Sequence, residues 1–279
     1  MDQVFGWLDA LLLGILQGVT EFLPISSSAH LRIFGPLLVS GADPGAAFTA
    51  ITQLGTELAV LLYFRADIWR IASHWCRSLR GGAGVDAQAA RLGWLVLLGT
   101  LPIALLGLLL KDFIEHSLRN LYLTAAMLIG FGLVLGWADR IGRRAREMSS
   151  LTVKHGILMG FAQALALIPG VSRSGGTITA GLLLGYTREA AVRYSFLLAI
   201  PAVLASGLYQ LLRSWGQPGP VGAGPTLLAT AVAFAVGYIA IAGFMRFISR
   251  QSFRPFVYYR IVLGVAVIVA LQMGWLAPL

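Results

Sequence analysis

The chain has 279 residues, 57% of them hydrophobic and only 12% charged, with a mean hydropathy of +0.79. One water-soluble core cannot absorb that much apolar surface, so the composition rules out an ordinary soluble domain and indicates an integral membrane protein. A net charge of +9 would suit a nucleic-acid binder, but the basic residues collect in short loops between apolar stretches, so no nucleic-acid partner is expected.

The first apolar stretch, roughly residues 6–40, is interrupted at its centre. Within GILQGVTEFLPISSSAH, residues 14–30, Gln17 and Glu21 are four apart and share one helix face. Pro24 should stop that helix, because its ring clashes with the preceding turn and it donates no hydrogen bond. Ser26, Ser27 and Ser28 are suited to open a second helix, whose unpaired N–H groups attract anions, and His30 follows one turn later. An acid, hydroxyls and an imidazole therefore converge on a broken helix in apolar sequence. Asp2 and Asp9 occupy the region where a cleavable signal would be basic, so the N-terminus is expected to be retained.

Six spans are predicted next, near 46–64, 92–110, 121–138, 190–212, 226–245 and 257–276. The first contains Gln53 and Glu57, again four apart; an acid inside a span marks either a functional group or a structural partner for a neighbouring helix. Residues 65–91 are predicted to form a loop with a flexible glycine-rich connector, GGAGVDAQ, that lacks the ending of a phosphate loop. His116, in the short turn KDFIEHSLRN, reads as a surface residue. Arg140, Arg143, Arg144 and Arg146 form a basic cluster suited to anionic headgroups. Cys76 is the chain's single cysteine, so neither an intramolecular disulfide nor a cysteine metal cluster is available.

Arginines crowd the loops after spans one, three and five and the start of span four, whereas Lys111, Arg119 and Arg213 are all that the opposite loops carry. The positive-inside rule makes the rich loops cytoplasmic and puts both termini, with the mouth of the first hairpin, outside. Residues after 190, including Tyr209, Pro201 and the outer turn QPGPVGAGP at 217–225, read as packing and interface anchors without comparable chemistry.

A second broken stretch, about 155–186, repeats the first. Gly160 and Gln163 match Gly14 and Gln17, and Pro169 with Ser172 matches Pro24 with Ser27 if one residue is skipped. Each copy precedes three spans, and an odd number turns the second copy over. The expected fold is thus an all-α integral membrane protein, one domain over 1–279, with six transmembrane helices and two re-entrant hairpins in inverted repeats at approximately 1–138 and 150–279. The second break has Leu167 near the place of Glu21 and brings Arg173 among Ser172, Ser174 and Thr177. A guanidinium beside a helix start suits a phosphate.

Gln17-Gly-Val-Thr-Glu21 with Pro24-Ile-Ser-Ser-Ser-Ala-His30, and Pro169-Gly-Val-Ser-Arg-Ser-Gly-Gly-Thr177, closely resemble the two signature motifs of the undecaprenyl-diphosphate phosphatase family, the bacitracin-resistance proteins. The resemblance extends over the whole chain. It implies removal of the terminal phosphate from undecaprenyl diphosphate at the outer side of the bacterial inner membrane, which recycles the lipid carrier for peptidoglycan synthesis, and a requirement for a divalent cation, Mg²⁺ or Ca²⁺. By motif position the functional residues fall on Gln17, Glu21, Ser27, His30, Ser172, Arg173 and Thr177. Many relatives carry a glutamate where this chain has Gln17, although the family pattern admits either; glutamine is the weaker cation ligand and no base.

On this reading Ser27 attacks the terminal phosphorus, and His30, one turn on, is a base or stabilises charge. Glu21 is a cation ligand or the general base, and is also suited to pair with Arg173. Ser26, Ser172, Arg173, Ser174, Gly176 and Thr177 hold phosphoryl oxygens. Partners are the polyprenyl diphosphate and membrane lipids, with a homo-oligomer left open. The alternative is a transporter or flippase of a phosphate-bearing lipid or small anion, since inverted repeats with broken helices also serve alternating access.

Overall fold

The computed structural model describes residues 6–38, 44–81, 84–116, 118, 120–214 and 221–278. The side chain of His116, Arg119 and residues 217–220 of the outer turn lie outside that set. All regular elements among the described residues are helical: α1 (Trp7–Thr20), α2 (Ser27–Phe34), α3 (Gly45–Tyr63), α4 (Arg65–Leu79), α5 (Ala87–Leu109), α6 (Lys111–His116), α7 (Leu121–Ile141), α8 (Val153–Ala164), α9 (Arg173–Leu183), α10 (Arg188–Ser214), α11 (Ala223–Ile248) and α12 (Arg254–Gln272).

Five of these, α5, α7, α10, α11 and α12, are long and apolar enough to cross a bilayer, and α3 with α4 makes a sixth if the two count as one span bent by 81°. The predicted loop after the first span is therefore corrected: residues 65–79 are helix, and only the segment around Gly81 and Gly84 is a connector. Asp86 at its end caps α5, accepting from the amides of Gln88 and Ala89 at 3.0 Å each. By contrast α1 and α8 have 14 and 12 residues. At about 1.5 Å rise per residue neither reaches across a hydrocarbon layer about 30 Å thick.

Both short helices stop where the sequence forbids them to continue. After α1 the chain turns through Glu21 to Ile25, with Pro24 unable to donate; after α8 a 3₁₀ turn, Leu165–Leu167, runs into Pro169. Gly170 has φ +94° and lies so close to the carbonyl of Thr124 in α7 that no side chain fits. Each following helix then opens on a serine in the left-handed region, Ser26 at φ 74° and Ser172 at φ 73°. Non-glycine residues rarely take this conformation, and the surroundings must hold it.

These caps correct the predicted repeat register. Ser26, not Ser27, is the counterpart of Ser172, an offset of 146 residues that also relates Gly14 to Gly160 and Gln17 to Gln163 without a gap. The hydroxyl pairs agree, Ser26 with Ser28 at 3.3 Å and Ser172 with Ser174 at 3.2 Å. Ser27 then corresponds to Arg173 and Glu21 to Leu167, and only the prolines are displaced by one position.

Packing follows the same exchange. Helix α1 lies along α11 and α8 along α5, while α3 packs on α10 and α7 on α12. The close approaches need glycine: a Cβ on Gly14 would stand 2.6 Å from the carbonyl oxygen of Ala229, and one on Gly160 would collide with the backbone of Gly99. At one end of the bundle Asp139 accepts from Arg188 at 2.6 Å and from the Phe253 amide at 3.0 Å, and Arg193 pairs with Asp67 at 2.6 Å.

Arg260 is the main departure from the sequence reading, which placed it among the loop arginines. It lies within α12, is fully buried, and donates to five carbonyls: Met127 and Leu128 of α7, Pro24 of the first break, and Gly170 and Val171 of the second, at 2.7 to 3.2 Å. Chain breaks inside a bilayer strand carbonyls that water cannot reach. One guanidinium satisfies those of both. An Arg260→Lys variant keeps the charge but loses the fork of donors; with each orphaned buried acceptor worth about 1–3 kcal/mol, the detergent-solubilised protein is predicted to melt several degrees lower. An unchanged melting temperature contradicts this role.

Candidate active site

The breaks bring Glu21 and Arg173 together from positions 152 residues apart. Glu21 is the first residue beyond α1 and is 6% exposed; Arg173 opens α9. Arg173 Nη2 donates to Glu21 Oε1 at 2.7 Å. The other carboxylate oxygen, Oε2, accepts from Ser27 Oγ at 2.6 Å and from Gln17 Nε2 at 2.8 Å. The four-residue spacing of Gln17 and Glu21 is what puts that amide on the carboxylate. A second bridge between the breaks runs from Ser174 Oγ to the carbonyl of Leu23 at 3.3 Å.

Three side-chain atoms here are buried without a hydrogen-bond partner among the described residues: Arg173 Nη1, Gln17 Oε1 and Glu57 Oε1. Buried polar atoms are nearly always satisfied, so such a set marks where a ligand's complementary atoms belong. Arg173 Nη1 is a charged donor suited to a phosphoryl oxygen. The two oxygens are acceptors suited to a cation or a proton donor. Among the described residues no three His, Cys, Asp or Glu side chains cluster, so any metal here must take an amide oxygen or substrate oxygens as well.

His30 sits elsewhere than the one-turn spacing suggested. Its Nδ1 donates to the carbonyl of Ser26 at 2.7 Å, which leaves Nε2 to accept from the Tyr259 hydroxyl at 2.7 Å, and the two rings stack at 5.5 Å. Both nitrogens are thus committed, and Ser27 faces Glu21 instead. The imidazole fixes the strained Ser26 turn that aims Ser27.

The expected phosphate-holding residues also divide. Ser172 Oγ accepts from the Gly175 amide at 3.1 Å as an N-cap, and the Gly176 amide is spent on the Ser172 carbonyl at 2.8 Å. A Cβ on Gly176 would meet the Ala162 carbonyl at 2.7 Å, so this glycine serves the approach of α9 to α8 and offers no donor to a ligand. The Thr177 hydroxyl, fully buried, donates to the Arg173 carbonyl at 3.0 Å and steadies the first turn. What remains open at the start of α9 is Arg173 itself and the leading end of the helix.

Beside this cluster an apolar groove of about 610 Å³ runs between α1, α2 and the start of α12, lined by Leu12, Leu16, Val19, Phe34 and Phe256, with His30 and Tyr259 in its wall. Tyr259 and Arg260 both lie after residue 190, where the sequence reading saw no chemistry. The available signal was an arginine a few residues inside a predicted span, costly there unless held.

Comparison with known proteins agrees with the motifs. The family model described as bacitracin resistance protein BacA matches residues 10–266. The chain is similar to undecaprenyl-diphosphatase 2 of Agrobacterium fabrum, 63% identical over 270 residues that cover 96% of this chain and 97% of the relative. It is likewise similar to the undecaprenyl-diphosphatases of Paenarthrobacter aurescens, 62% identical with 95% and 97% covered, and Micrococcus luteus, 59% identical with 96% and 98% covered. A match to the family model over nearly the whole chain, and relatives at this identity along their full length, place the chain in the BacA bacitracin-resistance family of multi-pass membrane proteins.

Proposed function

We propose that this protein hydrolyses undecaprenyl diphosphate to undecaprenyl phosphate and inorganic phosphate, returning the lipid carrier to peptidoglycan synthesis and so conferring bacitracin resistance. The observation that carries the reading is the shared carboxylate: Glu21 holds the Ser27 hydroxyl on one oxygen and Arg173 on the other. A nucleophile, its base and a phosphate-binding cation therefore stand within one hydrogen bond of each other. A transporter has no use for the first of these contacts.

The apolar groove suits the polyprenyl chain next to the site. It is too small for the whole tail, so the remainder lies among the lipids. The diphosphate then sits over the start of α9, where Arg173 Nη1 takes a phosphoryl oxygen while Nη2 keeps its hold on Glu21. Ser27 Oγ attacks the terminal phosphorus as its proton passes to Glu21 Oε2. The bond to the bridging oxygen breaks, and undecaprenyl phosphate leaves with that oxygen. Glu21 hands that proton to the departing undecaprenyl phosphate, then accepts a proton from a water that attacks the phosphoserine and returns it to Ser27 Oγ as the P–O bond breaks and inorganic phosphate departs. His30, held between Ser26 and Tyr259, keeps the nucleophile aimed and is no base in this scheme.

A divalent cation fits the donors present: Gln17 Oε1 is a buried acceptor without a donor beside Glu21, and hard cations of this class bind one or two carboxylates together with substrate phosphates. When bound, Mg²⁺ or Ca²⁺ neutralises charge on the diphosphate. The pairwise exchange of α1 with α8, α3 with α10 and α5 with α11 supports an inverted repeat of two re-entrant hairpins and six spans. The arginine-rich loops support placing their side in the cytoplasm of the bacterial inner membrane, with the site draining outward.

Purified protein in detergent is predicted to release phosphate from a polyprenyl diphosphate and to stop when a chelator is added; failure of wild type to release any phosphate contradicts the assignment and favours transport. Ser27→Ala should abolish turnover with the melting temperature unchanged. Near-normal release by that variant discards the phosphoserine and leaves water as the nucleophile, with Glu21 its base. Arg173→Lys retains a charge without the fork, and a loss of about 10²–10³ in kcat is expected; a change confined to KM would show that Arg173 binds the ground state only.

A further inference from the structure

Resting on the phosphatase reading, we infer that Glu57 supplies the second carboxylate of the divalent-cation site, taking from α3 the role that Gln17 cannot play from α1. Three observations converge on it. Glu57 is 1% exposed and its Oε1 has no hydrogen-bond partner among the described residues, a costly state for an acid within a span. Residues near it in the chain pack with the residue next to Glu21: the bare face of Gly237 in α11 receives the Phe22 ring, the Thr56 methyl and Ala59 together, so that a Cβ there would meet them at 3.0, 3.4 and 3.7 Å. The charges of both Glu21 and Arg173 act on the Glu57 carboxyl, whereas no hydrogen bond ties it to either.

The charge balance points the same way. Arg173 pairs with one of the two buried acids and leaves the other without an ion-pair partner among the described residues. A monovalent partner such as lysine would close the pocket permanently. A divalent cation instead turns the cluster positive, which favours a diphosphate, and it can leave. Gln17 Oε1 contributes a neutral oxygen from the same side, so Glu21, Glu57 and the Gln17 amide form an all-oxygen set of the kind Mg²⁺ and Mn²⁺ share with substrate phosphates.

The test is Mn²⁺ binding to the purified protein without substrate, read as loss of the free-ion electron paramagnetic resonance signal, with melting temperature as the check on folding. Wild type should bind Mn²⁺, Glu57→Gln should weaken binding at least tenfold, and Gln17→Glu in the Glu57→Gln background should restore it to within a few fold. Wild-type affinity in Glu57→Gln overturns the inference, as does a folded double variant that stays weak or a wild type that binds no Mn²⁺. The phosphatase reading fails separately: Mn²⁺ bound as described with no phosphate released from a polyprenyl diphosphate sinks that reading and leaves the site standing.

Discussion

Two interrupted helices from opposite halves of the chain can meet inside a bilayer only if something satisfies the backbone that each interruption strands. Here that constraint falls on Arg260. Its planar fork reaches the carbonyl of Pro24 on one side and those of Gly170 and Val171 on the other, and takes two further carbonyls from α7. A buried cation normally seeks a carboxylate, yet among the described residues this one binds only amide oxygens. The acid of the site is thereby left for other partners. Glu21 can serve Ser27 and Arg173 because Arg260 does not compete for it.

From this junction the chemistry follows in short steps. Ser26 and Ser172 are held at positive φ, and the first residue of each following helix, Ser27 or Arg173, meets the Glu21 carboxylate. In one break that residue carries a hydroxyl and in the other a guanidinium, so two breaks with alike caps differ in charge. Glu21 lies where its counterpart is Leu167, and it joins the two.

Much of this was readable from residue types and spacing. Gln17 and Glu21 one turn apart, the prolines and the serine-rich restarts announced broken helices, and an arginine between serines pointed to the anion site proposed above. Helix caps were not readable, because the left-handed serines depend on tertiary contacts; hence the register was displaced by one and His30 was assigned to Ser27 when its partners are Ser26 and Tyr259. Arg260 was lost among cytoplasmic arginines, since charge counting in loops cannot recognise a cation that the fold pulls inward. Glu57 was visible as an acid within a span, but the sequence does not show that Thr56 and Phe22 come together on Gly237. Residues 65–79 read as a loop because their polarity broke the hydrophobic run, whereas α4 is amphipathic, with Ile71 inward and Trp69 and Leu79 exposed.

In the proposed reaction the shared carboxylate activates Ser27 for a covalent path. Rapid quenching of the wild-type protein after mixing with a polyprenyl diphosphate labelled in its terminal phosphate, followed by peptide mass spectrometry, reads that path. The account predicts label on Ser27, forming before free phosphate appears. Label on His30, or free phosphate formed at full rate with no labelled protein at any time, would contradict it.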